Sequence, residues 1–151
     1  MTPRDRTAGG RFRILAIANE TVESEALHQL IVDQAGDMPT DVLVVAPALN
    51  SRLRHWLSDE DGAREAAEER LARSIERLGF DGIPAYGWVG GADPLEAIAD
   101  ALAVFDADQL IISTHPEARS NWLARDVVRR AEERFGLPTA HVVVERVPVA
   151  A

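Results

Sequence analysis

From Phe12 onward, short and nearly continuous apolar runs alternate with longer stretches whose apolar positions recur at helical spacing. That alternation is the pattern of βαβ units and of a parallel sheet. Phe12-Arg13-Ile14-Leu15-Ala16-Ile17-Ala18 predicts a first strand. Its apolar content leaves no wet face, so it belongs in the middle of a sheet covered on both sides. Leu27, Leu30, Ile31 and Ala35 then repeat as one helical stripe, with Thr21 or Ser24 as candidate caps and Gly36 just past the end. Asp41 to Pro47 predicts a second buried strand, and after a connection from Ala48 to Ser58 a second helix is expected over Asp59 to Leu78. Ala67, Leu71, Ile75 and Leu78 form its buried stripe, Glu60/Arg64 and Glu69/Arg73 are favourable i,i+4 pairs on the wet side, and Gly79 is read as its end.

Asp81 to Val89 reads as a third strand whose Pro84 and Gly87 suit an edge position. Gly90-Gly91-Ala92-Asp93-Pro94-Leu95-Glu96 is a strong helix start, because Asp93 can cap, Pro94 fits the first helical position and Glu96 can complete a capping box. Leu95, Ile98, Ala99 and Leu102 are expected on its buried face. Asp108 to Ser113 predicts the fourth strand, Trp122 to Phe135 the fourth helix, ended by Gly136-Leu137-Pro138, and Thr139 to Glu145 the last strand. Five strands joined by four crossover helices predict an α/β fold, an open doubly wound parallel sheet of order 3-2-1-4-5 with helices on both faces. In such sheets ligands bind at the carboxyl ends of the strands where neighbouring connections leave to opposite faces. Here that crevice lies between the first and fourth strands, with Asn19 and Glu20 on one side and Ser113, Thr114 and His115 on the other.

A chain of 151 residues with 46% hydrophobic and 27% charged positions fits one domain, residues 12–146, preceded by a tail over 1–11 and followed by a short apolar tail over 147–151. The absence of cysteine removes disulfides, thiolate nucleophiles and Cys-ligated metals, and it is compatible with a reducing compartment. All 16 basic residues are arginine, so a P-loop lysine, a Schiff-base lysine and a lysine general base are excluded together. The net charge of −9 opposes a nucleic acid partner. No apolar run approaches the roughly 20 residues of a membrane helix, and the expected location is the cytoplasm. The early arginines Arg4, Arg6, Arg11 and Arg13 read as a solvated tail.

Other motifs are weaker. Gly90-Gly91 is not a dinucleotide fingerprint, and His28, His55 and His141 lack metal-ligand spacing, which makes them structural residues. Trp56 and Trp88 read as core or interface aromatics.

The runs Ile14 to Glu20, Gly90 to Ile98, Ala107 to His115 and Phe135 to Val144 together resemble the universal stress protein family, in order and spacing over most of Phe12 to Glu145. The resemblance implies a five-stranded α/β domain, frequent dimers through the last strand and no catalytic machinery, with ATP bound by some members and not by others. ATP-binding members carry Gly-x-x-Gly, nine residues, then Gly-Ser or Gly-Thr after the fourth strand. The glycines let backbone amides approach the phosphates, and the final pair opens a helix whose amino end favours anions. In this chain the matching positions hold Ser113-Thr114-His115-Pro116 and Arg125-Asp126, so every glycine is missing. Asn19 stands where the family has an Asp on the adenine side.

Asn19, Val44, Ser113, Thr114 and His115 are thus the cofactor-binding candidates that the resemblance implies, while Arg119, Ser120, Asn121 and Arg125 could rebuild an anion pocket from side chains. Against that pocket, Ser120 or Asn121 is more often simply a helix cap and Arg119 and Arg125 are more often solvated. No catalytic residue and no metal ligand is assigned, no cofactor is certain, and an adenine nucleotide or another small anion is a possible ligand. The expected function is a non-enzymatic stress-signalling or small-ligand-sensing module, homodimeric through its last strand. Two alternatives stay open: a ligand-free interaction scaffold acting through last-strand edge pairing, and an adenine nucleotide hydrolase. The hydrolase reading suffers because Asn19-Glu20-Thr21-Val22-Glu23 replaces the Ser-Gly-Gly-x-Asp phosphate loop that such enzymes need after the first strand.

Overall fold

A computed structural model describes residues 11–18, 25–47, 60–90, 93–114 and 118–143. The continuous apolar runs become β1 (Phe12–Ala18), β2 (Thr40–Pro47), β3 (Ala85–Gly90), β4 (Gln109–Thr114) and β5 (Thr139–Val143). All pairings are parallel, and the strands lie in the order β3-β2-β1-β4-β5, as the sequence pattern predicts. Among the described residues four helices connect them: α1 (Glu25–Ala35), α2 (Glu60–Phe80), α3 (Pro94–Val104) and α4 (Ala118–Phe135).

Alternation along the strands divides the core into two layers. Ile14, Ala16 and Ala18 of β1, Val42, Val44 and Ala46 of β2 and Ile111 of β4 face Leu27, Ile31 and Ala35 of α1 and Leu71 and Leu78 of α2. Leu15, Ile17, Leu43, Val45, Leu110 and Ile112 face Ala97, Ile98 and Ala101 of α3 and Ala131 of α4. The first two crossovers therefore cover one face and the last two the other. The buried stripe of α3 centres on Ala97, Ile98 and Ala101, with Leu95 and Leu102 at its margins, which shifts the face expected from Leu95, Ile98, Ala99 and Leu102. Small residues at its centre let the helix approach the sheet closely.

The helix ends explain where boundaries differ from expectation. Gly79 does not stop α2, which continues to Phe80. The left-handed conformation falls instead on Gly82, with φ +77°. Around it the Ile83 amide donates to the Leu78 carbonyl at 2.9 Å and the Gly82 amide to the Gly79 carbonyl at 3.0 Å, the paired bonds of a Schellman closure. Ile83 turns inward against Leu78, so residues 81–84 belong to this closure and β3 begins at Ala85 rather than Asp81. Gly36 and Gly136, also left-handed, end α1 and α4 as expected. Asp93 caps α3 by accepting the Leu95 amide at 2.9 Å, ahead of Pro94.

Polar groups pin the amino ends of the strands. The Asp108 carboxylate accepts the Arg13 amide at 2.9 Å while its own amide donates to the Arg13 carbonyl, which locks β4 beside β1. Arg11 Nε donates to Asp41 at 2.9 Å across β1 and β2. Arg77 pairs with Glu25, and His28 with Asp81, so α1 is tied to α2 and to the turn after it. Among the described residues, no helix is long and apolar enough to cross a membrane.

Two glycines separate packing from conformation. A Cβ on Gly87 would stand 2.9 Å from Ile75 Cδ1 and 3.1 Å from the Val44 carbonyl oxygen, whereas one on Gly79 meets nothing within 4 Å. Gly87→Ala is expected to lower stability by about 1–3 kcal/mol through overpacking. Gly79→Ala is expected to raise it by up to about 1 kcal/mol through helix propensity and unfolded-chain entropy. Urea unfolding midpoints of the two variants check both signs.

Candidate functional site

Because β1 leads into α1 on one face and β4 into α4 on the other, the connections diverge between two adjacent parallel strands. Ala18 pairs with Ser113 at the carboxyl ends of these strands, and Thr114 pairs with Val143 of β5. This is the switch point of the sheet, where backbone groups at strand ends have no further sheet partner and a ligand can be received. Ser113 alternates onto the α1 side of the sheet, beside Ala18, and is 5% exposed. A hydroxyl so close to the mouth of an otherwise aliphatic layer is the polar group the fold supplies at the crevice floor.

The other candidates fall in different places. Val44 lies within β2, fully buried in the layer under α1 and α2, opposite Ala16 and Gly87. Asn19 and His115 lie outside the described residues, and the side chain of Thr114 is not described. Arg119, Ser120 and Asn121 occupy the first turn of α4, and Arg125 lies about two turns from its start. Their side chains are likewise outside the description. The sequence reading missed one feature, the length of α4.

That helix begins at Ala118 and not at Trp122, so only residues 115–117 separate it from β4. Ser120 and Asn121 are therefore inside the helix rather than at its cap. Arg125-Asp126, matched by position to the Gly-Ser that opens a helix in the ATP-binding proteins described above, stands in the interior of an existing one. The residues themselves account for this. Residues 118–126 contain no glycine, while Ala118, Leu123, Ala124 and Arg125 are good helix formers, and a proline at 116 is tolerated just ahead of a helix.

Asp126 adds intrahelical pairs with Arg129 at 2.7 Å and Arg130 at 3.0 Å. Its hydrogen bond and then the charge of Glu133 raise the Arg129 pKa above the usual arginine value. Arg129 therefore stays charged throughout the ordinary pH range, and these exposed pairs contribute modestly. Only the first four amides of a helix, counted from its capping residue, lack an internal acceptor, so from Asn121 onward the amides of α4 are committed to the helix.

Among the described residues, the remaining titratable groups do not gather into a reactive cluster. His28 is engaged by Asp81, and His141 lies within β5 opposite Ile112. Among the described residues, no group of three or more His, Asp and Glu side chains is placed to hold a metal ion.

Comparison with known proteins finds no matching family model and no matching curated protein. Solved structures do match. A crystal structure of a universal stress protein family member from Burkholderia pseudomallei superposes with a TM-score of 0.59 at 14% identity, covering 86% of this chain and 94% of that one. The universal stress protein from Archaeoglobus fulgidus gives 0.55 at 19% identity, over 87% and 93% of the two chains. The chain has the fold of these proteins, with the strand order that the sequence predicts.

Amide hydrogen exchange checks the helical start directly. Amides from Asn121 to Asp126 are expected to exchange at least about tenfold more slowly than in an unstructured chain, and those of residues 118–120 at rates near it. Fast exchange across all of these residues would mean a loop in place of the first turns of α4.

Proposed function

We propose that this chain is a divergent, non-enzymatic module of the universal stress protein kind, cytoplasmic, acting in stress-related signalling or small-ligand sensing, in which ATP binding in that family's manner is lost or altered. The observation that carries the reading is the start of α4 at Ala118. A triphosphate cradle made of backbone needs glycines and free amides after the fourth strand. Helical backbone occupies that place, and its interior amides are already bonded. Asp126 would add a negative charge near an incoming phosphate. The ligand such a crevice suits is small and anionic, received between the ends of β1 and β4 by Ser113, by the amides of residues 118–120 at the helix start and by the arginines at 119 and 125.

The assembly proposed with it is a homodimer through β5. This strand is one edge of the sheet and carries no acidic residue from Thr139 to Val143. The described part of the strand therefore sets no carboxylate of its own against a second copy of this chain of net charge −9.

Calorimetry and thermal-shift titration with ATP, AMP and cyclic AMP test the ligand reading. ATP up to millimolar concentration is expected to give no saturable heat, and Arg125→Gly/Asp126→Ser is expected not to create ATP affinity, because the helix upstream of the pair persists. Saturable ATP binding by the unaltered chain, or ATP turnover, would replace this reading with that of a nucleotide-binding protein or a hydrolase. For the assembly, sedimentation of His141→Pro is the check. The Leu110 amide bonds the Pro138 carbonyl, a phase that turns the His141 peptide group away from β4, so proline there removes an outward donor and the variant is expected to be monomeric.

A further inference from the structure

The opposite edge of the sheet has its own chemistry. β3 reads Ala85-Tyr86-Gly87-Trp88-Val89-Gly90, six residues without a charge, a terminal proline or a bulge, the devices that commonly keep an edge strand from pairing. Tyr86 and Trp88 are opposite Leu43 and Val45 and so project on the α3 side, yet they are 61% and 37% exposed. The Val42 amide donates to the Pro84 carbonyl. In a parallel ladder that phase turns the peptide groups of Tyr86 and Trp88 toward β2 and those of Ala85, Gly87 and Val89 outward.

On the other face α2 lies over β3, with Leu71 and Ile75 against Gly87. Arg77 reaches back to Glu25 of α1, which identifies the inner flank of α2. The flank turned away from α1, over the space beside β3, then carries Glu65, Glu68, Ala72 and Glu76 at helical spacing, all exposed. The open edge thus offers outward peptide groups, an aromatic shelf on one face and an acidic helix flank on the other.

We propose that β3 is a docking edge for an extended segment of another polypeptide, in which apolar residues alternate with arginine or lysine. Paired as a sixth strand about 4.8 Å from β3, such a segment sets its apolar side chains beside Tyr86 and Trp88 and its cations under the acidic flank of α2. Charge selects this partner over a second copy of the chain. Two-fold pairing of β3 with itself would place the two α2 helices side by side with their acidic flanks facing, so like charges would oppose it. The site is separate from the crevice between β1 and β4 and from the β5 edge.

The test uses the full chain and three fluorescein-labelled octapeptides: alternating Val and Arg, alternating Val and Glu, and a block peptide with four Val followed by four Arg. By fluorescence anisotropy the alternating Val-Arg peptide is expected to bind at least about tenfold more tightly than either of the others, and less tightly as salt rises. Hydrogen exchange is expected to slow at Ala85, Gly87 and Val89 in the complex. Val89→Pro, which removes an outward donor and leaves the β2 ladder intact, is expected to abolish binding. Glu65→Arg/Glu76→Arg, an exposed pair of changes that spares the fold, is expected to weaken it about tenfold. No binding, equal binding of the Val-Arg and Val-Glu peptides, protection at β5 instead of β3, unchanged affinity of the double variant, or self-association through β3 would each overturn the proposal.

Discussion

Burial of the central strands on both faces is the constraint from which the rest of the structure follows. Ile14, Leu15, Ala16 and Ala18 of β1, Val42, Val44 and Val45 of β2 and Leu110 and Ile111 of β4 are fully buried. Side chains alternate across a strand, so these residues demand apolar cover above and below at once. Each large aliphatic side chain removed from water contributes about 1.5–3 kcal/mol, and no one-sided arrangement of four helices would collect both sets. Two helices on each face is the arrangement observed. The change of face between α1 and α4 then parts the chain at the ends of β1 and β4, so the crevice is a by-product of covering the sheet.

What occupies the mouth of that crevice decides the chemistry. A phosphate can be held by backbone amides only if the chain is free of side chains and of helical hydrogen bonds where the anion sits. Side chains can take over part of that task, since arginine carries its own donors and charge, but they bring different geometry and different ligand size. The start of α4 at Ala118 puts helical backbone, not glycine-rich loop, at residues 118–126. The same helix places Asp126 among Arg129 and Arg130 as a helix-stabilising acid rather than at a phosphate site.

The two edge strands are both uncharged, so what differs between them is their neighbourhood. Beside β3 stands the acidic outer flank of α2, whereas β5 runs from Thr139 to Val143 without a carboxylate. In a chain of net charge −9, the charges standing beside an edge bear directly on which partner that edge can admit. Parallel sheets end in open edges as a rule, so specificity at those edges has to come from the neighbours of the strand.

Periodicity by itself determined the strand order, the buried stripe of α1 and the position of the crevice, because burial on both faces writes itself into nearly unbroken apolar runs and a 3.6-residue stripe; the face of α3 it placed only approximately. Phe12–Ala18 and the Asp93-Pro94 helix start needed only local rules, and both were legible to the residue. The stop of α2 was not, since Gly79 and Gly82 are equivalent in sequence, and the inward turn of Ile83 onto Leu78 selects which takes the left-handed conformation. Nor was the start of α4, where Ser120 and Asn121 are as acceptable for capping as for the first turn. Tertiary structure decided these because a backbone switch costs about 1 kcal/mol and is outweighed by the burial of one aliphatic side chain. It alone also set the outer flank of α2 over β3, since that neighbourhood depends on which side of the helix meets α1.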